Sequence, residues 1–338
     1  MPLLAVAREL RQRGHNIFFI GTNRGMEAKL VPAEGFELRK ISIGGLNRVG
    51  WRQKLTTLLH LPIATARSFG MLHGVAGVFS MGGYAAGPPV VAALLRRIPV
   101  VVMEPNAFPG FTNRAFGRLV DRALISFDET ARHFPKGRTE VTGLPVRDEF
   151  FQLPPKTRSA VLGLLITGGS QGSRTLNQAA RESWPLFRQS GLAVRIVHQT
   201  GEAQYGALKL EFASSGLEGD IAPFISSMPA AFAAADLVVC RSGAGAVSEL
   251  AAAGKPSVLA PFPFAADDHQ TRNAEAMARA GAARMVRDSE LNGKKLFELV
   301  TELAASPDEL RRMSEAARRM AHPGAAKRAA EILEEVAA

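Results

Sequence analysis

The chain has 338 residues, 46% hydrophobic and 21% charged, which is enough for two ordinary domains with a core in each. A formal net charge of +10 favours anionic partners such as nucleotide phosphates, nucleic acid or an acidic membrane surface, although excess Arg can also simply solubilise a surface. The single cysteine, Cys240, excludes an intrachain disulfide, and no apolar run approaches the ~20 residues needed to cross a bilayer. The expectation is a cytoplasmic protein, in solution or lying on a membrane without spanning it.

The first predicted element is an amphipathic helix over Leu3 to Arg13, closed by Gly14. A doubly wound domain normally opens with strand, loop and helix, so the expected first strand and its loop are missing here. Apolar strands follow at Ile17 to Ile20, Val75 to Phe79, Val100 to Met103 and Ala123 to Ser126, alternating with helical segments. That rhythm predicts a parallel sheet covered on both faces. Leu46 to Arg67 mixes Trp51, Leu55, Leu58, Leu59 and Ile63 with Arg48, Arg52, Lys54 and Arg67. Such a mix suits an anionic membrane surface, and it equally suits a core-packed amphipathic helix.

Two adjacent strands in this half carry polar or glycine residues to the same edge. Ser80-Met-Gly-Gly-Tyr-Ala-Ala-Gly-Pro88 enters a helix whose free N–H groups could meet an anion, and Glu104-Pro-Asn106 ends the next strand. Gly143-Leu-Pro-Val-Arg147 closes the domain, and Arg147 could reach a phosphate or serve only as a surface charge. The prolines of Phe151-Gln-Leu-Pro-Pro-Lys156 oppose both helix and central strand, so the linker is placed there. The expected domains are 1–150 and 157–320, with a C-terminal helix over 321–338.

The second half restarts at Val161 to Thr167 and runs through further βα units to Val286; helices are predicted at Leu291 to Ala304, Pro307 to Met320 and Gly324 to Val336. Strand Leu162 to Thr167 ends in Gly168-Gly-Ser-Gln-Gly-Ser173, where glycines permit close backbone approach and Ser170 and Gln171 offer side-chain hydrogen bonds. Strand Leu237 to Cys240 runs into Arg241-Ser-Gly-Ala-Gly-Ala-Val-Ser-Glu249, a second glycine loop with a carboxylate one turn inside the following helix. Free N–H groups at that helix start attract phosphate, and Glu249 can accept from two vicinal ribose hydroxyls.

Together these loops predict a nucleotide or nucleotide-sugar site. Their spacing is not G-x-G-x-x-G, which disfavours a nicotinamide enzyme, and no G-x-x-x-x-G-K-[ST] occurs. Asp267-Asp-His-Gln-Thr-Arg-Asn273 places polar side chains after strand Ser257 to Ala260, where they suit sugar hydroxyls or merely cap a helix. No D-x-D and no convincing ligand set indicates a metal. Two such α/β domains facing each other would make a cleft between the carboxyl ends of their sheets.

In order along the chain, Gly82 to Pro88, Glu104-Pro-Asn106 with Pro109-Gly110 and Thr112-Asn-Arg114, Gly143 to Arg147, Gly168 to Gly172, Arg241 to Glu249, and Asp267 to Gln270 with Asn273 resemble the motifs of the MurG family of cell-wall glycosyltransferases. The resemblance implies a GT-B fold of two Rossmann-like domains. It implies inverting transfer of N-acetylglucosamine from UDP-N-acetylglucosamine to the 4-hydroxyl of undecaprenyl-pyrophosphoryl-MurNAc-pentapeptide. No cofactor, metal or nucleic acid is implied, and the expected location is the cytoplasmic face of the bacterial inner membrane, held peripherally.

By the same match, Ser170 and Ala244, Gly245, Ala246, Val247 and Ser248 would meet the diphosphate, Ile225 the uracil, Glu249 the ribose and Gln270 the sugar, with Gln171 and Asn273 also on the donor side. Asn106 and Arg147 match positions tied to donor binding or closure, and Gly82, Gly83 and Tyr84 to the acceptor. The family's first glycine loop, with its histidine, has no counterpart before Met1, which leaves Glu104 as the nearest candidate base. Met103 stands where relatives commonly have histidine. Two other readings share the donor loops: a UDP-sugar epimerase or different GT-B transferase, and a truncated, non-catalytic nucleotide-sugar-binding protein.

Overall fold

The structure, a computed structural model, describes residues 2–338 except 24, 44–50, 155, 157 and 158; for 51–59 it describes the helical backbone alone. The chain forms two compact units, Met1–Pro145 with Gly324–Ala338, and Val146–Pro323.

The first unit comprises α1 (Pro2–Gln12), β1 (Phe18–Gly21), α2 (Glu27–Ala33), β2 (Glu37–Lys40), α3 (Trp51–Met71), β3 (Val78–Ser80), α4 (Gly87–Leu95), β4 (Val100–Glu104), α5 (Phe111–Phe116), β5 (Arg122–Ile125) and β6 (Thr139–Val141). All its strand pairings are parallel, in a two-stranded sheet β1-β2 and a four-stranded sheet β3-β4-β5-β6. Every residue of β4 is buried, as befits a parallel strand covered on both faces. The period-2 alternation of a strand divides β1 between two cores. Phe19 packs with Leu4, Val31 and Phe36, whereas Phe18 and Ile20 pack with the cluster built on Val100, Val102 and Ile125.

The second unit holds α6 (Asp148–Phe151), β7 (Leu162–Thr167), α7 (Arg174–Ser190), β8 (Val194–Gln199), α8 (Glu202–Ser215), β9 (Glu218–Ala222), α9 (Met228–Ala234), β10 (Leu237–Cys240), α10 (Ala244–Ala253), β11 (Ser257–Leu259), α11 (His269–Arg279), β12 (Ala283–Met285), α12 (Gly293–Ala304) and α13 (Pro307–Arg319). Its six strands are parallel in the order β12-β11-β10-β7-β8-β9. The strand order reverses between β7 and β10, the switch point where ligands of open α/β sheets collect. One core runs under this sheet from Leu164, Ile166 and Val239 to Leu176, Phe187, Leu296 and Val300.

A last helix, α14 (Ala325–Ala337), belongs to the first unit, where it packs on α1, β4 and β5. Arg328 forks onto Glu140 at 2.6 and 3.0 Å, and Arg13 pairs with Glu334 at 2.8 Å. The chain passes between the units at Pro145 and Val146, ahead of the proline pair taken as the linker. The reason is Phe150, fully buried and in edge contact with Phe232 at 5.2 Å, which ties α6 to the second unit.

Candidate functional site

In the second unit the two glycine loops leave neighbouring strands at one level, because Cys240 of β10 is in register with Thr167 of β7. Their starts are therefore about 5 Å apart, one strand spacing. The β7 loop is shaped by close approach. Gly172 has φ +73°, and a Cβ there would collide with the Thr200 carbonyl, so no other residue lets the two backbones meet. Ser173 caps α7, its Oγ accepting from Leu176 N at 3.3 Å, while Ser170 and Gln171 stand exposed at the loop's crest.

The β10 loop ends at Gly243, whose extended backbone opens α10 without a side-chain cap. The first N–H groups of this ten-residue helix, from Ala244 to Ala246, are left for an anion. Val247 is 2% exposed and faces the core; of this stretch it contributes backbone and packing. Glu249 lies one turn in. Burial raises its pKa from the ordinary carboxylate value, and the positive charge of Arg147 opposes that rise. Arg147 itself is exposed, with its guanidinium 5.1 Å from the Phe150 ring.

Two further side chains, the partly buried Arg241 and the buried Gln199, hold these loops. Arg241 donates to the carbonyls of Ala260 and Pro261 at 3.0 and 3.1 Å, to Asp288 Oδ1 at 2.5 Å and to Ser173 Oγ at 2.6 Å. Asp288 in turn accepts from Thr175 Oγ1 at 3.1 Å. One guanidinium thus fastens the ends of β7, β10, β11 and β12. Gln199, 1% exposed at the end of β8, donates to Gly169 O at 2.9 Å and Thr167 Oγ1 at 3.2 Å, and accepts from Ile225 N at 2.8 Å. The only local signal for it is the polar Gln199-Thr-Gly201 at the end of a strand whose Val194, Ile196 and Val197 are apolar.

Its neighbour His198 is fully buried, and burial pushes its pKa down to about 4. The neutral ring donates from Nε2 to Asn177 Oδ1 at 3.0 Å, a tautomer set by Asn177, whose amide donates to Thr200 O and Gln204 Oε1.

Around α11, Asp267 and Asp268 both take left-handed backbone, φ +51° and +54°. Two such residues in succession are a strained turn of the kind kept at ligand sites. Gln270 Oε1 accepts from Phe262 N at 2.9 Å, which orients its amide group as a donor. Asn273 was expected beside it, yet its side chain is fully buried and donates to Ser242 O at 3.0 Å. From the buried face of α11, Asn273 braces the β10 loop from behind.

In the first unit Glu104 is 2% exposed and saturated. Oε1 accepts from Asn106 N and Nδ2, both at 3.0 Å, and Oε2 accepts from Gly110 N and Asn113 Nδ2, both at 2.9 Å. A carboxylate with four donors organises its loop, so the expectation that Glu104 takes a proton is not supported by its geometry. Asn106 is thereby fixed beside it, its carbonyl accepting from Thr130 Oγ1 at 3.1 Å. Gly82 and Gly83 have φ +75° and +82°, Thr112 Oγ1 donates to Gly83 O at 2.9 Å, and Tyr84 is 45% exposed. Among the described residues no three His, Cys, Asp or Glu side chains gather as a metal set.

The glycosyltransferase family 28 N-terminal and C-terminal domain models match residues 1–125 and 163–332. The chain belongs to glycosyltransferase family 28. The family 28 chain is 69% identical over 337 residues to the UDP-N-acetylglucosamine–N-acetylmuramyl-(pentapeptide) pyrophosphoryl-undecaprenol N-acetylglucosamine transferase of Solibacter usitatus, covering 100% of this chain and 92% of that one. It is similar to the crystal structure of Acinetobacter baumannii MurG, with a TM-score of 0.83 and 32% identity over 99% of this chain and 95% of that one. A UDP-GlcNAc 2-epimerase from Neisseria meningitidis, bound to UDP-GlcNAc, shares the fold at a TM-score of 0.67 and 15% identity, covering 99% and 96%. The two parallel-sheet units are those of the GT-B fold.

Proposed function

We propose that this family 28 chain transfers N-acetylglucosamine from UDP-N-acetylglucosamine to the 4-hydroxyl of a lipid-linked N-acetylmuramyl-pentapeptide, with inversion at the anomeric carbon. The observation that carries the reading is the pair of glycine loops on adjacent strands β7 and β10, with Glu249 one turn inside α10. Ser170, Gln171 and the α10 N-terminus are offered to a diphosphate and Glu249 to the ribose hydroxyls. The Ile225 N–H is held by Gln199, so its carbonyl is the atom left for a ring N–H of the base. Gln270 donates to the sugar.

In the reaction the acceptor oxygen bonds to the anomeric carbon while the bond to the diphosphate oxygen breaks. Negative charge then grows on UDP, where the α10 N–H groups lower the barrier because their dipoles are already oriented. The acceptor hydroxyl gives up its proton to a base other than the saturated Glu104. Gly82, Gly83 and Tyr84 form the acceptor side of the reading.

A peripheral position on an anionic membrane, at the cytoplasmic face of the inner membrane, belongs to the same proposal. Its support is the distribution of charge. The first unit has 21 Lys and Arg against 12 Asp and Glu, the second 20 against 19. The first unit also exposes Ile63, Phe69, Leu95, Phe111 and Leu119. Of the Leu46 to Arg67 segment, 46–50 and the side chains of 51–59 lie outside the described residues. No described helix is long and apolar enough to cross a membrane.

The test is UDP release from UDP-N-acetylglucosamine with and without lipid-linked muramyl-pentapeptide. Acceptor-dependent release supports the transferase; release or epimerisation without acceptor would sink it.

A further inference from the structure

Gln199 is buried and holds no ligand in the donor reading, yet its side chain bridges two of the ligand-facing segments. Gln199 sits at the last paired level of β8, in register with Thr167 of β7 on one side and Ala222 of β9 on the other. The loop after β7 is offered to the diphosphate, and the loop after β9 carries Ile225 toward the base. The outer two of these three strands lie about 10 Å apart, so the loops cannot touch through their own backbones at this level. The Gln199 carboxamide fills the interval. Both amide hydrogens go toward β7, to Gly169 O at 2.9 Å and Thr167 Oγ1 at 3.2 Å, and the amide oxygen takes Ile225 N–H at 2.8 Å.

That pattern fixes the orientation of the amide. Turned over, Nε2 would face the Ile225 N–H, donor against donor, while the oxygen would face the Gly169 carbonyl. Burying a primary amide is unfavourable unless its groups are bonded, and here two bonds go to the ligand-facing loops, at Gly169 and Ile225, and the third to Thr167 at the end of β7. The backbone crowds in the same place: a Cβ at Gly201 would collide with the Gln171 carbonyl. The segment from Gln199 to Gly201 is therefore a spacer wedged beside the diphosphate loop.

We propose that Gln199 is a positioning residue that sets the distance between the diphosphate loop and the base loop, and so makes the site fit a base and a diphosphate joined in one nucleotide. The proposal rests on the donor reading above. A joined ligand gains from both loops only when their spacing is preset; otherwise the ordering cost falls on binding. Removing the spacer then harms UDP more than either of its halves.

The experiment measures by calorimetry the Kd of UDP, uridine and inorganic pyrophosphate for the full chain and for Gln199→Met, together with KM and kcat. UDP affinity is expected to fall about 30-fold in Gln199→Met, and uridine and pyrophosphate about threefold each. Donor KM rises with the UDP Kd while kcat at saturating donor stays within about twofold. A residue that only knits the fold would lower the melting temperature and leave the UDP-to-uridine ratio at its wild-type value, and that result overturns the proposal.

Should Gln199→Met fail to fold, Gln199→Glu carries the test, since its carboxylate still accepts from Ile225 N–H but cannot donate to Gly169 O. Uridine binding is then expected to persist and the UDP advantage to shrink; an undiminished advantage overturns the proposal. A wild-type chain that binds no UDP overturns the donor reading as well, which separates the two failures.

Discussion

In the proposed donor site Glu249 would meet two demands that pull apart: a place buried enough to hold ribose hydroxyls firmly, and an ionised carboxylate to accept from them. Burial raises its pKa and Arg147 restrains that rise. Donor affinity is therefore expected to be flat at high pH and to fall by about tenfold per pH unit below the Glu249 pKa, as protons compete for the acceptor oxygens. In Arg147→Ala the pKa climbs further and the fall begins at higher pH. Titrating UDP-N-acetylglucosamine binding against pH in both chains checks this; identical profiles would show that Arg147 does not act on Glu249.

Glu104 poses the opposite question. With four donors on its two oxygens it holds the loop from Asn106 to Gly110 and the Asn113 amide, so Glu104→Gln is expected to lose about 2 kcal/mol of stability in urea unfolding, with a modest loss of kcat. A stable Glu104→Gln enzyme without turnover would restore it as the base.

Among the elements, the loop ends of the second unit depend on Arg241, whose planar fork reaches Ser173, Asp288 and two carbonyls at once. A lysine ammonium cannot serve that geometry. Arg241→Lys is expected to raise donor KM about tenfold and to lower the calorimetric unfolding temperature of the second unit, without changing the family's reaction.

The long elements were legible because their patterns were strong: β10 falls where the run Leu237 to Cys240 put it, and α12, α13 and α14 lie within two residues of their expected ends. The short β2 and β6 were not legible. Glu37-Leu-Arg-Lys40 has one apolar residue in four and Thr139-Glu-Val141 is three residues long, so both are strands by virtue of the neighbours they pair with. The unit boundary went astray for a related reason. Proline is conspicuous in a sequence, whereas the burial of Phe150 that fixes the crossing is a tertiary fact. At the site, the glycine loops and Glu249 could be read from spacing, while Arg241 and Gln199 act through partners far along the chain, such as Asp288 and Ile225, which no local pattern announces.

Across the whole molecule, charge is divided unequally, with nearly all of the excess on the first unit. Electrostatic attachment to a surface then depends on ionic strength and on the exposed apolar side chains together. Vesicles containing anionic lipid are expected to sediment the protein at low salt and vesicles of zwitterionic lipid far less. Replacing Phe69 and Phe111 by serine should weaken retention at high salt; equal binding to both lipid types would argue against the membrane reading.

The lone thiol of the chain gives this molecule an internal clock. Cys240 is buried at the end of β10, and burial pushes its pKa up to about 12, so a thiol reagent reaches it only when the sheet beside the two glycine loops comes apart. Its labelling rate counts those openings. A ligand seated on the loops must slow the count in proportion to how fully it occupies them, which makes the rate of one side reaction a measure of affinity, with no substrate turned over.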